Sequence, residues 1–398
     1  MRTTGMRRTA AAGLAALFCV SGGLGMMQSF AASPEFARSE EQWVSLRDDK
    51  LDWNEIPDLV QEYNATVLSN RRDFQENEQY NKDQEDIQDD LNDQADALES
   101  QADALGGEAA SAMSEASLRQ QASKLRQQAD ESVTDSRTIQ LGYDQTEAQI
   151  VQSVRLLYIQ YYQAISDKQA AEQKVSYLQK LYNSAVNKQN VGVGTQLETL
   201  TAKENLENAQ AALVTADAAI SAARQNLIVL CGWKYDAQAE IGALPEVETD
   251  WIDQIDLQAD TDKALTASYV LQSDQIKLSN AKSSAAKTTS LVQKYEDQLT
   301  NDTNAAKLSV KTAYDNLISA RTAWNNTKAS LSLQQSNLET SKRQLELGNI
   351  SQMDYETAAN AVEELKAQEI SGQRALLTAK VNYEAVVGGL AGTASAAG

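Results

Sequence analysis

The stretch LELGNISQMDYETA, residues 345–358, interrupts a long segment that otherwise has the composition of a helix. Gly348 is able to adopt the left-handed conformation that ends helices. Ser351 and Asp354 then form an S-x-x-D pattern, in which the serine hydroxyl accepts from the N3 amide and the carboxylate accepts from the N-cap amide. The stretch therefore predicts a tight turn between two long helices.

The same interruption occurs 156 residues earlier in the chain. Ser153, Val154 and Tyr158 match Ser309, Val310 and Tyr314 at this offset, and about eighty residues align without a gap. Either Gly192 or Gly194 is expected to end the first helix, and Thr195-Gln196-Leu197-Glu198 to begin the next. The sequence thus predicts a tandem duplication of one helical hairpin.

Each copy carries apolar or small residues at alternating steps of three and four, which is the a/d pattern of a coiled coil. In the second copy, Glu369 and Gly372 fall on this seam and are expected to weaken it. The seam positions before the first turn are Tyr161, Ala164, Val175, Leu178, Tyr182 and Ala185, and those after it are Leu206, Ala209, Leu213, Ala216, Ile220, Ala223, Leu227 and Leu230. The positions before the second turn are Leu317, Ala320, Trp324, Thr327, Leu331, Gln334, Leu338, Ser341 and Leu345.

Composition agrees with an all-α fold of long antiparallel coiled-coil hairpins. Only three prolines occur in 398 residues, so long segments lack helix breakers. The arms that precede the turns are expected to span about 38 residues, or roughly 57 Å. Helices of this length must pair with neighbours, in the same chain or in other subunits.

Several functional classes are excluded by composition. The chain has no histidine, which removes histidine-dependent nucleophilic sites and histidine-ligated zinc. Without a phosphate-binding loop, the chain is not expected to be an enzyme or to bind a cofactor or metal. The formal net charge is −21, which argues against a nucleic-acid partner. Cys231 lies in an apolar run and is expected to be a buried structural thiol.

The N-terminal segment has the features of a secretory signal peptide. Arg2, Arg7 and Arg8 precede an apolar run, and Ser29-Phe30-Ala31 has the form of a cleavage site. A retained membrane anchor is the alternative, but the four glycines and the small residues favour cleavage. We expect an exported protein located in the cell envelope.

The sequence divides into seven segments. They are a signal peptide (1–31), the lead-in helix of the first repeat (32–82), an acidic Gln/Ala-rich helical insertion (83–135), the first hairpin (136–232), a connector (233–262), the second hairpin (263–389) and a disordered tail (390–398). In the insertion, Leu91, Leu98 and Leu105 recur every seven residues, as do Leu118 and Leu125. This spacing predicts a separate helical hairpin turning at Gly106-Gly107, and an acidic low-complexity linker is the alternative.

The duplication and the two turn patterns, VGVGTQLE (191–198) and LGNISQMD (347–354), resemble the TolC-like outer membrane efflux proteins. The resemblance implies a homotrimer whose paired hairpins form an α-helical tunnel. It also implies that the hairpin tips dock a membrane fusion (adaptor) protein joined to an ABC or RND-type pump. The tip residues so assigned are Val191, Gly192, Val193, Gly194 and Thr195 in the first copy and Leu347, Gly348, Asn349, Ile350 and Ser351 in the second.

The resemblance also assigns Glu198 and Asp354 as carboxylates that narrow the tunnel and respond to protonation. Helix capping alone is the alternative for these two residues, and both roles are compatible. The sequence departs from the family between lead-in and core of each copy, where β-hairpins of a membrane barrel are usual. Because neither copy shows alternating ten-residue segments there, we expect little or no barrel. Location is then the outer membrane if the host has one, and otherwise an extracytoplasmic surface.

Two functions from different classes follow from these patterns. The first is a passive α-helical duct in an envelope export or efflux system. The second is a structural coiled-coil protein of the cell surface without a transport role. The paired tips favour the duct, whereas the expected lack of barrel strands favours the structural protein.

Overall fold

The structure is a computed structural model that describes residues 38–105, 112–132, 135–283 and 289–392, with the side chains of all but 77–85, 112, 113, 127 and 130–132. The predicted signal peptide, Gly106-Gly107 and residues 393–398 of the predicted tail lie outside the described residues. The chain divides into two compact units, Met1–Asp49 and Lys50–Gly398. In the first unit the described residues form one short helix, α1 (Glu40–Ser45), capped by Ser39.

The described part of the second unit is built almost entirely from helices. Two two-residue strands, β1 (Lys50–Leu51) and β2 (Glu240–Ile241), pair in parallel. The helices are α2 (Ile56–Tyr63), α3 (Ala65–Ala104), α4 (Ala112–Ser132), α5 (Ser136–Asn190), α6 (Gln196–Leu230), α7 (Leu257–Ala267), α8 (Tyr269–Ser283), α9 (Thr289–Glu346) and α10 (Gln352–Ala385), and a π-helical turn follows at Val386–Leu390. The predicted all-α fold is confirmed.

Two long helical hairpins, α5–α6 and α9–α10, carry the duplication. The helices that enter the turns have 55 and 58 residues, so the predicted length of about 38 was too short. That length counts residues from the start of the repeat core, whereas helices α5 and α9 begin well upstream of the core. At ~1.5 Å per residue each entering helix is roughly 80–90 Å long.

The predicted coiled-coil seams are confirmed by burial. From Trp324 to Glu346, the residues of α9 that are not exposed are the seven predicted seam positions: Trp324, Thr327, Leu331, Gln334, Leu338, Ser341 and Leu345. In α6, all eight predicted positions from Leu206 to Leu230 are at least partly buried. The apolar period of three and four therefore places the right face of each helix against its partner.

In the second copy, Trp324 of α9 occupies the seam where Glu369 and Gly372 are expected to weaken it. Trp324 is 7% exposed and packs over Gly372, where an added Cβ would lie 3.2 Å from Trp324 Cδ1. The Trp324 indole N–H donates to Glu369 Oε1 at 2.7 Å. A large side chain on α9 thus occupies the space left by a glycine on α10, and its polar atom is satisfied.

Helices α3 and α4 pack against each other in the region of the predicted insertion. Arg126 on α4 donates to Asp96 at 2.6 Å and to Glu99, and Arg119 donates to Asp103 at 3.0 Å. The fully buried side chains between the helices are small: Ala95, Ala102, Ala122 and Ala129. Because α3 is continuous from Ala65 to Ala104, the insertion extends the lead-in helix without a break.

The segment between the two copies is held by tyrosines of α5. Tyr158 is fully buried and donates to the Leu51 carbonyl at 3.0 Å, and Tyr162 donates to the Gly242 carbonyl at 2.7 Å. Burial raises the pKa of both phenols, so they remain donors. These bonds fix the β1–β2 pair against the base of the first hairpin.

Candidate functional site

The first hairpin tip is a short turn with left-handed backbone at Gly192. Helix α5 ends at Asn190, and Gly192 has φ +79°. The Gly192 N–H donates to the Gln189 carbonyl at 3.0 Å, and the Val193 N–H donates to the Lys188 carbonyl at 3.0 Å. These two bonds satisfy carbonyls at the helix end that would otherwise lack a partner. Gly192 is therefore the residue that ends α5.

The second tip repeats this geometry at the offset of the duplication. Helix α9 ends at Glu346, and Gly348 has φ +74°. The Gly348 N–H donates to the Leu345 carbonyl at 2.9 Å, and the Asn349 N–H donates to the Gln344 carbonyl at 2.8 Å. The two turns thus share one hydrogen-bond pattern, although only the two glycines are identical among the five paired tip residues.

Both helices that leave the tips begin with a capping box, as the sequence predicts. The Glu198 N–H donates to Thr195 Oγ1 at 3.2 Å, and the Thr195 N–H donates to Glu198 Oε2 at 2.7 Å. The Asp354 N–H donates to Ser351 Oγ at 3.2 Å, and the Ser351 N–H donates to Asp354 Oδ2 at 3.0 Å. Each reciprocal pair satisfies two amides at the start of a helix.

Hydrogen bonding holds the two capping carboxyls in the ionised form. Backbone and side-chain bonds to Thr195 lower the pKa of Glu198, and the bonds to Ser351 lower the pKa of Asp354. The positive charge of Lys188 lowers both pKa values further. In the single chain, both carboxylates are therefore held in the ionised form more firmly than a free carboxylate.

The two hairpins lie side by side through α5 and α10. Lys180 pairs with Glu356 at 2.7 Å, and Lys174 pairs with Glu364 at 2.7 Å. Because Lys188 acts on the carboxyls of both tips, the tips are close together at one end of the helices. Sequence reasoning missed these lysines, since in the second copy Gln344 stands where the first has Lys188 and the duplication gives no pattern to follow.

The tips present large apolar side chains to solvent. Val191 is 73% exposed, Val193 77% and Leu347 75%. Leu197, in the first turn of α6, is also 73% exposed. None of these side chains is needed to close its turn, because backbone bonds and glycines do so. All four are exposed apolar side chains in the tips or in the first turn that follows a tip.

The order of helices across the paired hairpins is α6, α5, α10, α9, because α5 packs against both α6 and α10 while α10 packs against α9. Helices α6 and α9 are the two edges of this layer, and α9 also contacts α7 and α8. Both helices carry exposed apolar side chains: Leu200 at 54% and Val214 at 72% exposure on α6, and Leu308 and Leu333 at 65% on α9.

The rest of the described chain offers few candidate metal-binding or reactive side chains. Within the described residues no cluster of three or more acidic or cysteine side chains has the geometry of a metal site. Cys231 is buried as predicted, and desolvation raises the pKa of its thiol to about 12. None of the helices in the described part of the chain is both long and apolar enough to cross a membrane.

These features define a class of protein with two tandem helical hairpins, matched tips and open edges. Residues 120–233, which include the whole first hairpin and its tip, match the family described as Outer membrane efflux protein. That family consists of efflux proteins and not of enzymes. The resemblance to outer membrane efflux proteins that the tip motifs indicate is confirmed over residues 120–233.

Solved structures share the fold at low sequence identity. The outer-membrane channel OprN superposes with a TM-score of 0.53 at 10% identity, over 87% of this chain and 92% of that chain. A membrane protein from Pseudomonas aeruginosa gives 0.51 at 13% identity, over 84% and 93%. CusC, whose structures concern transmembrane channel formation, gives 0.51 at 12% identity, over 86% and 94%. No curated protein sequence matches the chain.

Proposed function

We propose that the protein is a passive α-helical duct of an envelope export or efflux system. The observation that carries this proposal is the pair of tips: two turns with matching backbone hydrogen bonds at Gly192 and Gly348 lie side by side and expose Val191, Val193 and Leu347. The match to efflux proteins over the first hairpin supports it. The chain has no proposed catalytic role, and its localisation is the cell envelope after export through the N-terminal signal.

Three copies would close a tube by placing the α9 edge of one copy against the α6 edge of the next. This arrangement would cover Val214 and Leu333, which are exposed in the single chain. Burial of such side chains contributes about 25 cal/mol per Å² of apolar surface removed from water. Two different complementary surfaces on one chain give a closed ring when the rotation between copies closes, and an open filament when it does not.

The tips would dock a membrane fusion (adaptor) protein, which joins the duct to an ABC or RND-type pump. An exposed apolar tip with satisfied backbone groups suits a contact that gains free energy from burial and leaves no amide unpaired. Glu198 and Asp354 would add six carboxylates near the end of a trimeric tube, in addition to their role as caps. Such a ring would favour cations over anions.

Docking is tested with variants that change the tip surface and leave the turns intact. The protein is co-expressed with a membrane fusion protein of the same organism and captured through an affinity tag. We expect Val191→Asp and Leu347→Asp to reduce the captured adaptor at least tenfold, because a charge would be buried in the contact. Tyr235→Asp is the matched control, since Tyr235 is 69% exposed in the connector, away from the tips.

Capture of equal amounts of adaptor by the tip variants and the control would contradict docking through the tips. If no adaptor binds and export is unaffected by deletion of the gene, the structural coiled-coil protein of the cell surface becomes the better interpretation.

A further inference from the structure

A carboxylate is buried between α8 and α9 without a full set of partners. Asp274 on α8 is 1% exposed. Its Oδ1 accepts from Gln298 Nε2 at 2.9 Å and lies 3.8 Å from Lys277 Nζ. Its Oδ2 is buried and receives no hydrogen bond from the described residues. A charged oxygen in this position loses hydration and gains nothing in return.

Asp302 lies on α9, one helical turn beyond Gln298, and is close enough to act on Asp274. Desolvation is the first cause that raises the pKa of Asp274 to about 6. A hydrogen bond to Asp302, which requires a proton on one of the two carboxyls, and the charge of Asp302 add to the shift, and the charge of Lys277 opposes it. Two carboxylates that share a site cannot both ionise without repulsion, but a single proton between them makes one short hydrogen bond. The shared proton would lie between Oδ2 of Asp274, which has no hydrogen-bond partner among the described residues, and the carboxyl group of Asp302.

Other charged groups around α8 are paired or lie near its ends. Lys282, at the C-terminal end, pairs with Glu296 of α9 at 2.9 Å, and Asn280 donates to Asp135, which precedes α5. Asp144 and Glu147 of α5 act on Tyr269, the first residue of α8. The π-helical turn Val386–Leu390 carries no charged side chain, and the charged residues of α7 are Asp260, Asp262 and Lys263.

The first copy of the duplication does not contain this pair. At the lead-in offset of 203 residues that aligns Val67-Leu68 with Val270-Leu271, Arg71 corresponds to Asp274, and at the core offset of 156 residues Thr146 corresponds to Asp302. Arg71 instead donates to the Gln61 carbonyl at 2.9 Å. The packing of lead-in on core in the first copy therefore involves no carboxyl pair at this level, and the pair is peculiar to the second hairpin.

We propose that Asp274 and Asp302 form a proton-dependent contact that fastens α8 to α9 in mild acid and loosens it at neutral pH. Since the folded-state pKa of Asp274 lies above its usual value, the stabilisation is complete at pH below about 4 and is lost as the pH rises through about 6. The effect is independent of the proposed duct, because it concerns packing within one chain.

The test compares thermal unfolding of wild type and Asp274→Asn between pH 4 and pH 8. Asn keeps the size and removes the charge, so we expect equal transition temperatures near pH 4 and a higher transition temperature for the variant above pH 6.5. Asp297→Asn, an exposed carboxyl on α9, is the control and should follow wild type at every pH. A purely structural role for Asp274 would instead displace the variant by the same amount at all pH values.

Hydrogen exchange provides a readout that survives poor folding of the variant. In wild type, the exchange rate of α8 amides, corrected for the intrinsic pH effect, should rise at least about tenfold between pH 5 and pH 7 relative to α6 amides. A constant ratio would overturn the proposal. So would a rise in the transition temperature of wild type, but not of Asp274→Asn, on addition of millimolar Ca²⁺ at pH 7, because the pair would then be a cation site.

Discussion

Gly192 and Gly348 adopt the left-handed backbone that ends the two entering helices. The sequence left Gly192 and Gly194 as alternatives, because either spacing fits a turn before Thr195. The structure separates their roles: Gly192 has the positive φ, whereas an added Cβ at Gly194 would lie 2.9 Å from Lys188 Cβ. The close approach at Gly194 depends on the path of the turn back toward α5, and no local sequence pattern predicts that path.

Gly348→Ala should destabilise the second hairpin by about 1 kcal/mol, because a Cβ strains the left-handed conformation. The space itself is open, since an added Cβ at Gly348 meets no atom within 4 Å. The control is Gly142→Ala in the interior of α5, where an added Cβ also meets nothing and φ is not positive. Chemical denaturation should show this control to be stabilised by about 0.5–1 kcal/mol. Equal shifts of both variants would contradict the assignment of strain to the tip.

At the scale of elements, helix periodicity was sufficient for the main seams but incomplete for α3–α4. The sequence reading used the leucines that recur every seven residues, yet the fully buried positions are the alanines four residues after them: Ala95, Ala102, Ala122 and Ala129. Leucine and alanine together give steps of four and three, which is a complete a/d seam. Because alanine is common on all helix surfaces, its presence at these positions does not by itself predict that they are buried in the seam.

Ala95→Leu should separate α3 from α4, because the site is closed on all sides and overpacking typically costs 1–3 kcal/mol. The matched control is Ala97→Leu, which adds the same side chain to an exposed position on the same helix. We expect faster hydrogen exchange along α4 in the first variant and unchanged exchange in the second. Unchanged α4 protection in Ala95→Leu would show that these helices do not pack through alanine.

The Trp324 contact is a second feature that helix periodicity alone does not predict. Glu369 and Gly372 are unfavourable seam residues when their helix is considered alone. Their role in the packing follows only from their contacts with the partner helix. The Trp324 ring needs the space above Gly372, and its N–H needs the Glu369 carboxylate. Pairing of a large residue with a small one across two helices is set by register, which a single sequence does not state.

At the scale of the whole molecule, the duplication predicted two equivalent hairpins but not how they lie together. The two hairpins contact each other through ion pairs of Lys174 and Lys180 on α5 with Glu364 and Glu356 on α10. These residues are not equivalent in the two copies, so the internal repeat does not predict the contact. The same asymmetry leaves α6 and α9 as open edges. A trimer closed through those edges is the central claim about function.

Disulfide cross-linking between the two edges tests that claim most directly. Gln210 on α6 and Leu333 on α9 are both exposed and lie at similar distances from their tips, so they should face each other across neighbouring copies. In a background with Cys231→Ser, the double variant Gln210→Cys, Leu333→Cys should be captured as a covalent trimer on oxidation, while each single variant remains monomeric on a denaturing gel. A double variant that stays monomeric, or that stops at a dimer, would contradict the duct.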